Sequence, residues 1–503
     1  MKENRRKINY INKTIEKAQL YYRVLGKVNF DMQCVAPKNG LRQASEDVTK
    51  LSSIPFKLMH SKKFMDTVNE LYANKEGLNE YEIKLVDNLY EGQQKSRNIT
   101  PKMQEEYNKA TSESYLKWLE CKEKGDYEGF KPYLEKIINL TKERILLRDK
   151  QEKTIYDTIL NDFEKGSSIE VLDAYFAKLK SEIVPLVKKI QNSKKVIRRD
   201  FLSNKVEIYK QERFSNWLLE HEALDMDSLV LMTTEHPFTS GYGRGDTRVT
   251  THYYEDMFVS NLYSIMHEGG HALFDQNEPD VFHDYHIEGN MTMAMHECAS
   301  RFFENMVGRS EAFIDFIYPK FMELFSEEFK GVTKKELYEA VNIAEPSLIR
   351  TEADELTYSL HILIRYELEK GFINGEFGVE GLDKRWNQLY KEYLGVDVPN
   401  NSLGILQDVH WTDIYGYFPS YSLGSAYAAQ IYKTMEKDLD IEECIRNDEI
   451  YKLRDWLKSH AWNIASITDP NEWIEKVTGE KFNPDYYINY LKEKFTKLYE
   501  LED

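Results

Sequence analysis

Residues 261–276 read NLYSIMHEGGHALFDQ, and residues 290–305 read NMTMAMHECASRFFEN. The first stretch decides how the chain is read. Leu262, Ile265, Met266, Ala272 and Leu273 recur at helical spacing with no proline between them. Inside that pattern lies HEGGH. Four helical residues advance about 400°, so His267 and His271 leave one face, one turn apart. Two imidazoles so placed can share one divalent ion, and Glu268 stands beside them, suited to act on a water at that ion. Gly269 and Gly270 each cost a helix about 1 kcal/mol against alanine. The sequence therefore predicts a need for room there, for packing or for substrate. The bland alternative is a buried helix with two hydrogen-bonded histidines, which the bare pentapeptide does not exclude.

A metal centre that does chemistry takes three protein ligands and keeps one position open. Glu297, on the second helix and flanked by His296 and Ser300, is the best candidate for the third. On spacing alone Asp275, Asp280, Glu288 or Glu304 serve as well. Cys298 does not, because the residue after Glu297 on a helix points about 100° away. Asn290 is the expected N-cap of this second helix.

Working outward, 24 Gly and 13 Pro in 503 residues point to long helices. Leu172, Tyr175, Phe176, Leu179, Ile183 and Leu186 form one such stripe, opened by a capping-box signature at Ser167…Glu170. No repeat or Pro/Ser-rich linker divides the chain. It is expected to be one unit, 1–503, with a helical wall over 1–230, the chemistry over 231–430 and C-terminal helices over 431–503. The texture changes at Thr233, where Pro237, Gly241, Gly243 and Gly245 precede the β-branched run Val249, Thr250 and Thr251. That predicts a loop feeding a short strand, an exposed edge able to pair with a substrate backbone. GYGRG there has no following GK[ST], so it is not a phosphate loop. A second irregular stretch spans 395–425.

Composition excludes several classes. A formal charge of −18 argues against nucleic acid or an anionic membrane as partner. No stretch approaches the 18 or so apolar residues of a membrane span. The N-terminus has no apolar signal core, and Cys34, Cys121, Cys298 and Cys444 are scattered with no CxxC pair, so a cytoplasmic protein with free thiols is expected.

Six motifs, in order, resemble those of one family, the M32 metallocarboxypeptidases or carboxypeptidase Taq family of the gluzincin clan. HPF is His236-Pro237-Phe238, DxRxT is Asp246 to Thr250, and HExxH is HEGGH. IRxxAD is Ile349 to Asp354, and GxxQDxHW is Gly404 to Trp411, with Gln407, Asp408 and His410 in place. One motif departs: the family's HES(R/Q) is here His296-Glu297-Cys298-Ala299, which keeps the ligand position and changes the two residues after it.

The resemblance implies a mainly α fold, a large helical body whose two halves wall a deep groove, with a small β-sheet beside the HExxH helix. It implies His267, His271 and Glu297 as ligands of Zn2+ (Co2+ as a possible substitute), Glu268 as general base, and a homodimer. It points to Arg350 as the anchor for a peptide's free C-terminal carboxylate, because the guanidinium fork accepts a carboxylate through two bonds. A structural pairing of Arg350 with Glu352 or Asp354 is the competing reading. His236, Arg248 and Gln407 are further substrate-binding candidates. His410, Tyr417 and Tyr421 are candidates for the donor to an oxyanion, with the choice of tyrosine open. The implied activity is release of C-terminal residues from peptides. The rivals are an oligo-endopeptidase of the same clan, which lacks the carboxylate anchor, and a non-catalytic helical peptide-binding protein.

Overall fold

The stripe Leu172 to Leu186 lies buried along one face of a helix running Ile169–Gln191. Burial of each such side chain contributes about 1.5–3 kcal/mol. Ser168, not Ser167, caps that helix, accepting from the backbone N–H of Val171, while the Asp157 carboxylate takes the N–H of Ile169. A computed structural model describes residues 1–502, and the same apolar-stripe logic builds helices along most of them. The described residues form two hydrophobic cores. The large one draws on side chains from Ala110 to Tyr499 and surrounds HEGGH. The small one is N-terminal.

That small core joins α1 (Lys2–Cys34), α3 (Lys62–Ala73) and α4 (Glu80–Ser96) through Ile8, Ile11, Ile15, Phe64, Val68 and Val86, and closes on Phe282 and Ile287. Between α1 and α3 runs α2 (Leu41–Met59), whose only buried residue is Pro55. The far end of α1 reaches the sheet, where Phe30 packs edge-on to Phe238 with ring centroids 5.9 Å apart.

The sheet has three strands in the order β1-β3-β2: β1 (Leu229–Thr233), β2 (Thr239–Gly241) and β3 (Thr247–Thr251). β3 is parallel to β1 and antiparallel to β2, with Thr239 opposite Val249 and Ser240 opposite Arg248. This corrects one sequence expectation. LVLMT, short and apolar, is a strand. Its pairing makes Val249–Thr251 part of the central strand, so the expected edge is not there; β2 is an edge instead. The β2–β3 turn needs its glycines, since Gly243 and Gly245 take φ of 99° and 72°.

Four helices then carry most of the candidate site residues: α5 (Phe258–Asn277), α6 (Met293–Arg301), α7 (Tyr358–Asn374) and α8 (Phe418–Met435). A π-helical turn, Phe302–Val307, continues α6. Asn290 does not cap α6, which begins at Met293. A distant carboxylate, Glu164, accepts from the N–H of Ala294 at 2.7 Å instead. The second irregular stretch ends earlier than its sequence suggests, at the first residues of α8.

Candidate active site

The two glycines of HEGGH serve packing. A Cβ on Gly270 would lie 2.7 Å from the carbonyl oxygen of Ala299, so α5 and α6 cross backbone to backbone there. A Cβ on Gly424 would lie 2.7 Å from Cβ of Glu297, so α8 presses on α6 at the candidate third ligand. These close approaches hold the candidate ligand side chains of α5 and α6 against each other.

The structure brings His267, His271 and Glu297 together, with one ligand atom from each lying within 4.8 Å of the other two. Oε2 of Glu297 stands 3.6 Å from Nε2 of His271 and 4.0 Å from Nε2 of His267. Tetrahedral zinc with bonds of about 2.0–2.1 Å sets its ligands about 3.3 Å apart. The donor set therefore fits a divalent ion once Glu297 closes on the two imidazoles by about 0.3 to 0.7 Å. The rival carboxylates are otherwise engaged: Asp275 with His296, Asp280 with Arg244, Glu288 with Gln19 and Glu304 with His267.

Glu304 is the residue that sequence reasoning misplaced. Its Oε2 sits 2.8 Å from Nδ1 of His267, the contact that orients a metal-ligating imidazole and leaves Nε2 free to bind. Arg301 ties the carboxylates together, donating from Nε to Oε1 of Glu297 at 2.8 Å and from Nη1 to Glu304 at 3.1 Å. A signal was present, since seven residues after Glu297 falls on nearly the same helical face. Nδ1 of His271 is buried with no protein partner among the described residues. Its ring stacks instead on His296, centroids 4.3 Å apart. Glu304→Gln is expected to weaken metal binding about 10- to 100-fold while leaving the fold intact. Competition against a chelator measures this, and unchanged affinity would remove Glu304 from the account.

Burial raises the Glu297 carboxyl, but Arg301, His267 and His271 overcome it and hold the group well below the usual carboxylate range. It is an anion, ready to ligate. Burial lowers His267, yet Glu297 and Glu304 raise it to about 9. Glu268 differs from both. Burial raises its pKa above the ordinary carboxylate value, and its Oε2 accepts from Thr239 Oγ1 of edge strand β2 at 2.7 Å. A carboxylate so tuned takes and returns a proton more readily than an exposed one.

Beyond the ligands, buried Arg350 donates from Nε to Oδ1 of Asp408 at 3.0 Å, and Arg365 holds Oδ2 at 2.6 Å. Two guanidiniums thus share one carboxylate, and the cluster keeps one positive charge in excess. Glu352 and Asp354 are not Arg350's partners; Asp354 binds Thr357 and the N–H of Glu345. Gln407 is fully engaged in holding this region, accepting from the N–H of Arg350 and from Arg365 and donating to carbonyls at Leu348 and Leu403. Burial, then Arg350, lower His410 to about 4, so its imidazole is neutral at pH 7. Its Nε2 lies 3.4 Å from the Tyr421 hydroxyl, and Tyr417 packs edge-on to Tyr421 at 4.9 Å. Burial raises the Tyr417 phenol, and Glu297 is the next cause, which places that phenol in the field of the ligand set.

Two of the substrate-binding candidates lie differently. Arg248 forks onto Asp246 at 2.8 and 3.2 Å and stacks on Phe30 of α1. In β3 it alternates with Val249, whose partner Thr239 reaches Glu268, so Arg248 faces the side of the sheet away from α5. His236 is exposed in the β1–β2 connection and makes no side-chain hydrogen bond among the described residues.

Comparison with known proteins agrees with this geometry. The sequence model of the family "Carboxypeptidase Taq (M32) metallopeptidase" matches residues 10–495. Carboxypeptidase 1 of Bacillus subtilis (strain 168) is 36% identical over 481 residues, covering 95% of this chain and 96% of that protein. Thermostable carboxypeptidase 1 of Pyrococcus furiosus is 33% identical, covering 96% and 99%. The crystal structure of the M32 carboxypeptidase from Deinococcus radiodurans R1 superposes with a TM-score of 0.95 at 28% identity, covering 98% of this chain and 100% of that one. With the family match running nearly end to end and a candidate metal-binding triad on the HExxH helix and α6, the chain belongs to the carboxypeptidase Taq (M32) family of metallopeptidases and is a metallocarboxypeptidase.

Proposed function

We propose that the protein is a zinc carboxypeptidase that releases single residues from the free C-terminus of peptides. The observation that supports this reading is the buried excess positive charge at Arg350, Arg365 and Asp408, linked to the triad through Tyr421, whose ring lies 5.1 Å from the Arg350 guanidinium and whose phenol feels Glu297. A buried site with one cation too many suits a ligand that brings one carboxylate. His267, His271 and Glu297 would hold the ion; two imidazoles and one carboxylate are a donor set that zinc favours and cobalt accepts. Bound there, a divalent ion supplies Lewis acidity and lowers the pKa of water.

The protein's own groups do the rest. Glu268, kept in place by Thr239, takes the proton of the attacking water and returns it to the departing amine. Edge strand β2 offers its free side to the substrate backbone. His410, Tyr417 and Tyr421 supply neutral donors where negative charge develops on the carbonyl oxygen. Arg350 binds the terminal carboxylate; Asp408 and Gln407 hold Arg350, and Arg365 pairs with both. Arg248 and His236 act outside this carboxylate anchor. We further infer one peptidase unit acting as a homodimer in the cytoplasm, where the four free cysteines stay reduced. A panel of N-blocked peptides with free or amidated C-termini tests the function. Preference for the free acids with one residue released per cut is expected. Equal cleavage of both, at internal bonds, would make the protein an oligo-endopeptidase, and no cleavage of either by the metal-loaded chain would make it a binding protein.

A further inference from the structure

The metal ligands and the carboxylate anchor meet at one side chain that belongs to neither. Tyr358 is the first residue of α7, eight residues after Arg350. Its ring covers the guanidinium of Arg301, 4.2 Å from carbon to centroid, and Arg301 in turn grips Glu297. Its hydroxyl accepts from Nη1 of Arg350 at 3.4 Å. Tyr358 therefore stands between the two halves of the site. Three features give it a part beyond spacing. The phenol accepts one contact and donates none among the described residues, so its proton is unclaimed. Arg350 likewise donates only through Nε and Nη1, which leaves three of a guanidinium's five N–H groups unassigned. Arg350, Tyr358, Glu268 and Glu297 are each buried but keep 7% of their surface exposed, so none is sealed off from a ligand.

We propose that Tyr358 is a substrate-binding residue: its hydroxyl donates to the terminal carboxylate held by Arg350, and its ring braces Arg301 behind the ligand Glu297. One side chain would then fix the distance from anchor to metal centre, and with it the release of one residue at a time. The proposal rests on the carboxypeptidase reading above.

The test compares wild type, Tyr358→Phe and Tyr358→Leu on one N-blocked dipeptide in free-acid and amidated forms, with metal content and thermal melting measured for each. Removing a donor to a charged group is worth about tenfold to a hundredfold. Tyr358→Phe should lower kcat/KM on the free acid by that factor, chiefly through KM, and narrow the free-acid preference equally, with metal content unchanged. The Phe variant loses one oxygen that makes a single long contact, so it folds. Tyr358→Leu should show the same narrowing and also release metal to a chelator more readily, because Arg301 loses its cover. A free-acid preference kept within about twofold in Tyr358→Phe, or an equal fall on both substrates, would overturn the proposal. A wild type with no free-acid preference would instead defeat the carboxypeptidase reading, so the two failures are told apart.

Discussion

Glu268→Gln is expected to keep its metal and lose about 10²–10⁴ in kcat. The amide is nearly isosteric with the carboxylate, and its oxygen still accepts the Thr239 hydroxyl that now meets Oε2 at 2.7 Å. The ligands are untouched, since His267 is oriented by Glu304 and Glu297 by Arg301. What the variant lacks is a group that accepts a proton from water and hands it to the leaving amine. KM should move little, because Glu268 contributes to the transition state rather than to ground-state binding. Near-normal kcat in a metal-replete variant would sink the mechanism.

The second large effect falls on Arg350. Removing one partner of a desolvated charge pair costs about 2–5 kcal/mol, roughly 30- to several-thousand-fold in kcat/KM on free-acid peptides. The free enzyme should tolerate Arg350→Ala, because Asp408 keeps Arg365 at 2.6 Å and no buried charge is left alone. Loss of the excess cation is felt only when a carboxylate arrives. Arg350→Lys should restore part of the activity, since an ammonium cannot both hold Asp408 and fork onto the substrate. Amidated peptides, poor substrates of the wild type, should lose little more. An equal fall on free-acid and amidated peptides would make Arg350 a structural residue.

How much of this was legible in the sequence depends on how local each contact is. His267, Glu268 and His271 share one helix, so their geometry follows from its pitch alone. Long helices followed from sparse Gly and Pro and from stripes such as Leu172 to Leu186. Contacts made across the fold were hidden. Asp408 lies 58 residues from Arg350, and no spacing rule links them. Glu164 replaces the expected Asn290 cap from 130 residues away. The strand at Val249 was read rightly as a strand and wrongly as an edge, because its parallel partner LVLMT has no periodicity to distinguish it from a helix end. Tyr358 carried no signal at all: its place between Arg301 and Arg350 exists only once α6 and α7 are packed together.

The central claim is that His267, His271 and Glu297 hold one divalent ion at which the chain cuts peptides. Elemental analysis of the purified protein, wild type beside Glu297→Ala, tests it most directly. One zinc per chain in the wild type is expected, lost with activity on chelation and sharply depleted in Glu297→Ala. Full occupancy in Glu297→Ala, or undiminished hydrolysis by metal-free wild type, would contradict it.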